Sequence, residues 1–168
     1  MSARLSSLRG SAVIAGVGTF GCGEAHGFTE MELLARSARQ AVADAGLKMS
    51  DIDGICTASV SSTMWSMAVP EYLGINPRFL DGTMIGGSSF VAHLMPAMLA
   101  LQSGQCNAVL VCYGSTQRTA TMGRKEMNAS RRVLEPMPYE HPFDPVMPAS
   151  AYALAAARHM HQYGTTRK

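Results

Sequence analysis

Charged side chains are scarce in this sequence. Only 15% of its 168 residues are charged, and 14 Lys and Arg stand against 12 Asp and Glu, a net charge of +2. So small a net charge, without a basic stripe, argues against a nucleic-acid-binding surface. The shortage of charge also indicates that much of the folded surface is covered by a second half-domain or subunit. The length suits one domain, or one layered half of a larger protein.

Long hydrophobic runs are missing as well. The longest apolar run, Phe90–Leu101, is interrupted by His93 and Pro96 and is too short to cross a bilayer. The first ten residues contain arginines but no apolar core of the kind that a secretory signal needs. The sequence therefore predicts no membrane span and no export signal.

Cysteine is sparse and its spacing shows no pattern. The sequence has four, with no Cys-x-x-Cys pair and no His spacing that suits zinc. These positions are Cys22, Cys56, Cys106 and Cys112. We expect four reduced thiols in a cytoplasmic protein, the ones near strands acting as small hydrophobic residues, and no metal site.

Strand and helix patterns alternate along most of the chain. Thr29 and Glu32 form a capping box that opens a helix within Phe28–Gly46, and Gly46 supplies its left-handed end. Short apolar runs predict strands at Ser11–Phe20, Gly54–Ser59, Arg78–Met84 and Asn107–Tyr113. Further helices are predicted at Ser61–Leu73, Ser88–Gly104 and Ala149–Tyr163. This alternation predicts an α/β fold, with a mixed, mostly parallel sheet.

The helix Ser88–Gly104 is apolar on every side, so we expect it to be the buried central helix of the fold. Pro96 lies inside it and should bend it. It follows a strand and a tight turn, Gly86-Gly87-Ser88-Ser89, where glycine allows the backbone to bend sharply. Backbone N–H groups at such a turn can hold a thioester carbonyl or stabilise an enolate.

The turn resembles the nucleophile turn of the thiolase superfamily, in its lipid-transfer (sterol-carrier-protein thiolase) branch. That family has Cys-x-Ser/Thr-Gly-x-x-Ala at the start of its central helix. The corresponding residues of this chain are Gly86, Ser88, Ser89 and Ala92, so a glycine stands where the family has its nucleophilic cysteine. Further similarity lies at Ser50–Ile55, which contains the family's Asp-Gly before the second strand, and at Pro138–Gly164.

The resemblance implies a layered thiolase-like fold, of which this chain would be the N-terminal half. Residues 1–115 would form the half-domain core, 116–150 a loop region that covers the acyl-CoA tunnel, and 151–168 the start of the following helix. Five prolines within 116–150 support a long segment with little regular structure. The resemblance also implies a homodimer.

The function implied is chemistry on acyl-CoA or steroid-CoA thioesters in lipid metabolism and steroid degradation. Without the cysteine, retro-aldol C–C cleavage is favoured over thiolysis, since it needs a base and an enolate stabiliser but no acyl-enzyme. Some relatives that lack this cysteine bind a small partner protein with an OB-fold and a zinc ribbon, so the resemblance implies that such a partner is possible here. Two alternatives stay open: a non-catalytic CoA-lipid-binding or scaffolding subunit, and an ordinary acetyl-CoA acetyltransferase.

Candidate site residues follow from this interpretation. Gly86, Gly87, Ser88 and Met147 are predicted to contact the substrate, with coenzyme A as part of the substrate and no bound cofactor. Candidate acid–base groups are Tyr113 and His141, together with Tyr139 and Asp144. Ser89 and His93 lie four residues apart, so a nucleophilic Ser–His pair is an alternative, but no nearby acid orients the imidazole and a structural role is favoured.

Overall fold

The computed structural model describes residues 9–59, 62, 64–119 and 149–167. The chain divides into two compact units, Met1–Thr119 and Ala120–Lys168. The first unit contains, in order, α1 (Glu30–Asp44), a short 3-10 helix (Met49–Asp51), β1 (Gly54–Thr57), α2 (Trp65–Leu73), β2 (Phe79–Asp81), α3 (Ser89–Ala92), α4 (Leu94–Gln102) and β3 (Val109–Cys112). The second contains α5 (Ala149–Tyr163), at the position predicted for a helix.

Helix α1 begins and ends where the sequence predicts. The Thr29 side chain accepts a hydrogen bond from the Glu32 N–H (3.2 Å), and the Glu32 carboxylate accepts one from the Thr29 N–H (2.8 Å). At the other end Gly46, with φ +70°, follows the C-cap residue Ala45. The capping box and the glycine stop are therefore both confirmed.

Three parallel strands form the sheet, in the order β2-β1-β3. Gly54 of β1 stands opposite Phe79 of β2 and Val109 of β3. Helices α1 and α2 pack on this sheet around a core formed by Leu34, Ala35, Ala38, Val42, Ile52, Ile55, Trp65, Val69, Leu73, Ile75, Leu110 and Cys112. The predicted α/β fold with parallel strands is confirmed.

The prediction of a buried strand at Ser11–Phe20 is wrong. From residue 12 to residue 20 the segment belongs to none of the described strands, and Val13, Ile14 and Val17 are exposed. Gly16 and Gly18 lie so close to α1 that a Cβ on either would collide with the helix backbone. The two glycines thus allow this segment to run directly against α1 instead of pairing in the sheet.

The helix predicted at Ser88–Gly104 is divided into α3 and α4, with His93 between them. Pro96 has no N–H to donate to the carbonyl of Ala92, the last residue of α3, and its ring crowds that carbonyl. The helix is therefore interrupted at His93, one turn before the proline. The bend itself stays a prediction. The prediction that this helix is buried on every side is wrong for the described residues. Its second part, α4, packs on β3 through Ala97 and Ala100, and the outer residues of the predicted helix are exposed. These are Val91, Leu94, Met95 and Leu99.

No described helix combines the length and the apolar character that a bilayer-crossing segment needs.

Asp53 joins all three strands at the amino edge of the sheet. Its carboxylate accepts hydrogen bonds from the Asn107 N–H (2.7 Å), the Asn107 side-chain amide (2.9 Å) and the Ala108 N–H (2.9 Å). Its carbonyl accepts from the Arg78 N–H at 2.7 Å, next to β2. Burial alone would raise the pKa of Asp53, but the hydrogen bonds from Ala108 and Asn107 hold it below its ordinary value.

Replacing Asp53 with Asn should lower the free energy of unfolding by about 2 kcal/mol at pH 7. The charge that strengthens the two backbone bonds is lost, and an amide nitrogen cannot accept the bond from the Asn107 side chain. The native pKa is below the unfolded value of about 3.9. The stabilisation is therefore complete above that value and is lost as pH falls through the native pKa. Urea unfolding at pH 7 and pH 3 measures the change.

The exposed helical residue Glu71 provides the control, and Glu71→Gln should alter stability by less than about 0.5 kcal/mol. An equal loss for D53N at both pH values would contradict the role of the charged carboxylate.

Candidate functional site

The turn between β2 and α3 lies at the carboxyl edge of the parallel sheet, the edge at which open α/β folds bind ligands. Gly86 has φ +81°, a conformation that strongly favours glycine, and it is exposed. An added Cβ on Gly86 or on Gly87 would meet no atom within 4 Å. The position that corresponds to the family nucleophile is thus a bare, open stretch of backbone.

Ser89 holds the backbone of the turn in place. Its side chain is fully buried, and its hydroxyl donates to the Gly86 carbonyl (2.6 Å) and accepts from the Ile85 N–H (2.9 Å). Both hydrogen bonds engage backbone groups of the turn itself. The hydroxyl therefore has a structural role and is not presented as a nucleophile.

His93 holds the earlier part of the same loop. Its ring is 1% exposed, and Nε2 lies 2.9 Å from the Thr83 carbonyl oxygen, which can only accept. Nε2 therefore carries the proton, and the buried Nδ1 has no partner among the described residues. Since Ser89 and His93 each bind the loop and not each other through their side chains, the structural interpretation of the pair is confirmed.

Asp81 completes this arrangement, although it is not among the site residues predicted from the sequence. Its carboxylate accepts from the Thr83 N–H at 2.8 Å, an Asx-type turn that was recognisable in the spacing Asp81-Gly82-Thr83. Burial would raise the pKa of Asp81, but hydrogen bonds from Thr83, with a smaller contribution from His93, lower it. Asp81 orients Thr83, and Thr83 in turn binds His93.

Tyr113 lies close to the helix that follows the turn. It comes directly after β3, is 43% exposed, and its ring centroid is 4.5 Å from that of Phe90 in α3. Phe90 in turn packs edge-on against His93, at 5.8 Å. The structure thus brings together Gly86, Gly87, Ser88 and Tyr113 at one edge of the sheet. His141, Met147, Tyr139 and Asp144 lie outside the described residues.

None of the four cysteines stands at the turn. Cys56 is fully buried in β1, with its Sγ 4.0 Å from the His93 carbonyl. Burial, with the nearby Asp81 charge, raises the pKa of Cys56 to about 12, and burial raises that of Cys112 to about 12 as well. Cys22 is exposed, and all four thiols are free. The reduced state expected for them stays a prediction.

Among the described residues, no group of three or more His, Cys, Asp or Glu side chains is arranged to hold a metal ion. The expectation that the protein has no metal site stays a prediction.

Similarity to known proteins agrees with this arrangement. The chain is 30% identical to a steroid side-chain-cleaving aldolase of Thermomonospora curvata, over 96% of this chain and 42% of the relative. It is 28% identical to a 17-hydroxy-3-oxo-4-pregnene-20-carboxyl-CoA lyase of Mycobacterium tuberculosis, over 96% of this chain and 43% of the relative. The chain therefore spans less than half the length of these curated relatives. No family model matches it.

The structure superposes on that of the Ltp2-ChsH2(DUF35) aldolase with a TM-score of 0.69 and 28% identity, over 91% of this chain and 38% of that one. Its homologues and its fold are thiolase-like, in agreement with the branch that the sequence resembles. This thiolase-like chain has Gly86 at the position where the family motif places its cysteine, so the motif's backbone turn is present without a thiol.

Replacing Ser89 with Ala should lower the free energy of unfolding by about 2 kcal/mol, because the Ile85 N–H and the Gly86 carbonyl lose their partner. Hydrogen exchange of the Ile85 amide should become faster in the same variant. The neighbouring Ser88 is the matched control, since its side chain makes no capping hydrogen bond, and Ser88→Ala should change stability by less than about 0.5 kcal/mol. Equal losses in the two variants would refute the role of Ser89 in holding the turn in place.

Iodoacetamide at pH 8 should modify Cys22 in the native protein and leave Cys56 and Cys112 unmodified until the chain unfolds. The thiolate is the reactive form, and burial both raises the pKa of the two inner thiols and blocks access to them. Peptide mass spectrometry with and without urea gives the pattern. Native modification of Cys56 at the rate of Cys22 would show that a reactive thiol lies below the turn.

Proposed function

We propose that this thiolase-like protein cleaves a carbon–carbon bond of an acyl-CoA or steroid-CoA thioester by a retro-aldol reaction. The aldolase and the lyase to which it is similar support this choice of reaction. Because the chain spans 42% and 43% of these relatives, the activity, the substrate and the partner of the whole protein are all proposals.

The observation that carries the proposal is the bare turn at Gly86. Thiolysis and Claisen condensation through an acyl-enzyme need a nucleophile at this point. Gly86 has no side chain, Ser89 is buried and hydrogen-bonded to the turn, and Cys56 is inaccessible. Ser88 is exposed, but none of the described hydrogen bonds joins its hydroxyl to a base. Among the described residues at this turn, no activated side chain is therefore available to form the covalent intermediate.

Retro-aldol cleavage uses what the turn does offer. A base removes the proton of the β-hydroxyl, the bond between the α- and β-carbons breaks, and the β-carbon becomes the carbonyl carbon of the first product. The electron pair passes into the thioester enolate, which is protonated to give the shortened acyl-CoA. Backbone N–H groups at Gly86–Ser88 would stabilise the enolate oxygen. They act locally, since α3 has only four residues and adds little helix dipole.

The proton transfers need an acid–base group near this turn. Tyr113 is the candidate within the described residues, because its exposed phenol side chain packs against Phe90 at the start of α3. Phenols exchange protons readily when a neighbouring group activates them. His141 is the second candidate, and Met147 remains a proposed contact for the acyl group.

We also propose that the protein works in a heteromeric complex, as a homodimer joined to a partner with an OB-fold and a zinc ribbon. The name of the Ltp2-ChsH2(DUF35) aldolase joins two components, the second of them a DUF35 protein, which supports a partner of this kind. The free cysteines fit a reducing, cytoplasmic compartment.

A non-catalytic subunit that only binds CoA lipids is the second candidate function. The missing nucleophile at Gly86 favours it as much as it favours the aldolase, since binding alone needs no reactive side chain. The two candidates differ in whether a bound β-hydroxyacyl-CoA is converted.

The full-length protein, with and without the product of the neighbouring gene, should convert a branched β-hydroxyacyl-CoA to a ketone and a shortened acyl-CoA. Acetoacetyl-CoA with free CoA should remain unchanged, because thiolysis requires the missing thiol. Mass spectrometry of both mixtures follows the reactions. Thiolysis would establish an ordinary acyltransferase with a nucleophile elsewhere, and binding without conversion would favour the CoA-lipid-binding subunit.

A further inference from the structure

Gly87 is a glycine that the fold does not require. Fifteen of the 16 glycines are described, and nine of these have the left-handed φ that favours glycine. Close contacts explain five others, because an added Cβ would collide with a neighbouring atom. These five are Gly16, Gly18, Gly54, Gly82 and Gly114. Gly87 alone among the described glycines has neither reason, since its φ is not left-handed and a Cβ would meet nothing within 4 Å.

An unexplained glycine is informative because glycine is costly. It loses more backbone freedom on folding than any other residue, so alanine at a compatible position usually stabilises a protein. A glycine that neither the backbone nor the packing demands is therefore explained by something that approaches it from outside the described chain. Gly87 is exposed and adjacent to Gly86, in the turn where the thioester is proposed to bind.

The surroundings of Gly87 indicate an apolar group. Ile85 and Val91 are 58% and 73% exposed on either side of it in sequence, and Met84 is 39% exposed. No charged side chain lies between Asp81 and Arg118 in the sequence. An acyl chain approaching the turn therefore meets hydrocarbon side chains, bare backbone and the uncharged Ser88 hydroxyl.

We propose that Gly87 determines substrate specificity: its missing side chain makes room for a thioester whose β-carbon carries two carbon substituents. This inference rests on the proposed function. A retro-aldol reaction that releases a ketone needs such a β-carbon, which is wider than the methylene of a linear acyl chain. One of its substituents occupies the space that a Cβ at position 87 would fill.

Two isomeric esters that lack a β-hydroxyl and cannot be cleaved, tert-butylacetyl-CoA and hexanoyl-CoA, test the inference in the full-length protein by calorimetry. Gly87→Ala should raise the Kd of the branched ester about tenfold and that of the linear ester by less than about threefold, the usual effect of one methyl group in a pocket. Its Tm should be unchanged or slightly higher.

Gly46→Ala is the control, because Gly46 has φ +70° at the end of α1, away from the turn. It should lower Tm and leave the ratio of the two Kd values unchanged. An unchanged ratio in G87A would overturn the specificity role even if the wild type cleaves a β-hydroxyacyl-CoA. A shifted ratio without cleavage would support the role of Gly87 and overturn the proposed reaction. If the wild type binds neither ester, both the specificity role of Gly87 and the proposed reaction are overturned.

Discussion

The arrangement of the first unit depends on the hydrogen bonds that meet at Asp53. The three strands have only three or four residues each, so few ladder hydrogen bonds define their register. Asp53 binds the start of β3 through its carboxylate and the start of β2 through its carbonyl. Once this amino edge is set, the carboxyl ends of β2 and β3 lie on either side of the end of β1. The Gly86 turn and Tyr113 then emerge at the same edge of the sheet.

At the carboxyl edge of the sheet, side chains hold the Gly86 turn in place instead of a long regular helix. A long helix starting at Ser89 would hold its own N-terminus in place, but the helix is divided at His93, one turn before Pro96. Ser89 and His93 instead bind the loop at Gly86, Ile85 and Thr83. The shape of the turn thus comes from buried polar side chains, and its outer surface is left as bare backbone.

Local signals in the sequence predicted local structure well. The pairing of Thr29 with Glu32 and the position of Pro96 each act within one helical turn, so both could be predicted from neighbouring residues. The prediction of a strand at Ser11–Phe20 was wrong because apolar composition shows that a segment is extended but does not show what it packs against. The Gly86 turn was predicted from its motif, whereas the contact between His93 and Thr83 joins residues whose separation depends on the break in the helix.

The buried polar groups around the turn favour a functional shape over simple packing. Taking an imidazole out of water is unfavourable, and the unpartnered Nδ1 of His93 makes it more so. An apolar side chain at position 93 would pack in the same space without that penalty, but it would release the Thr83 carbonyl. Stability alone therefore does not explain the residue. A fixed loop presenting Gly86 and Gly87 does, because a reaction without a covalent intermediate depends on groups that are already in place when the substrate binds.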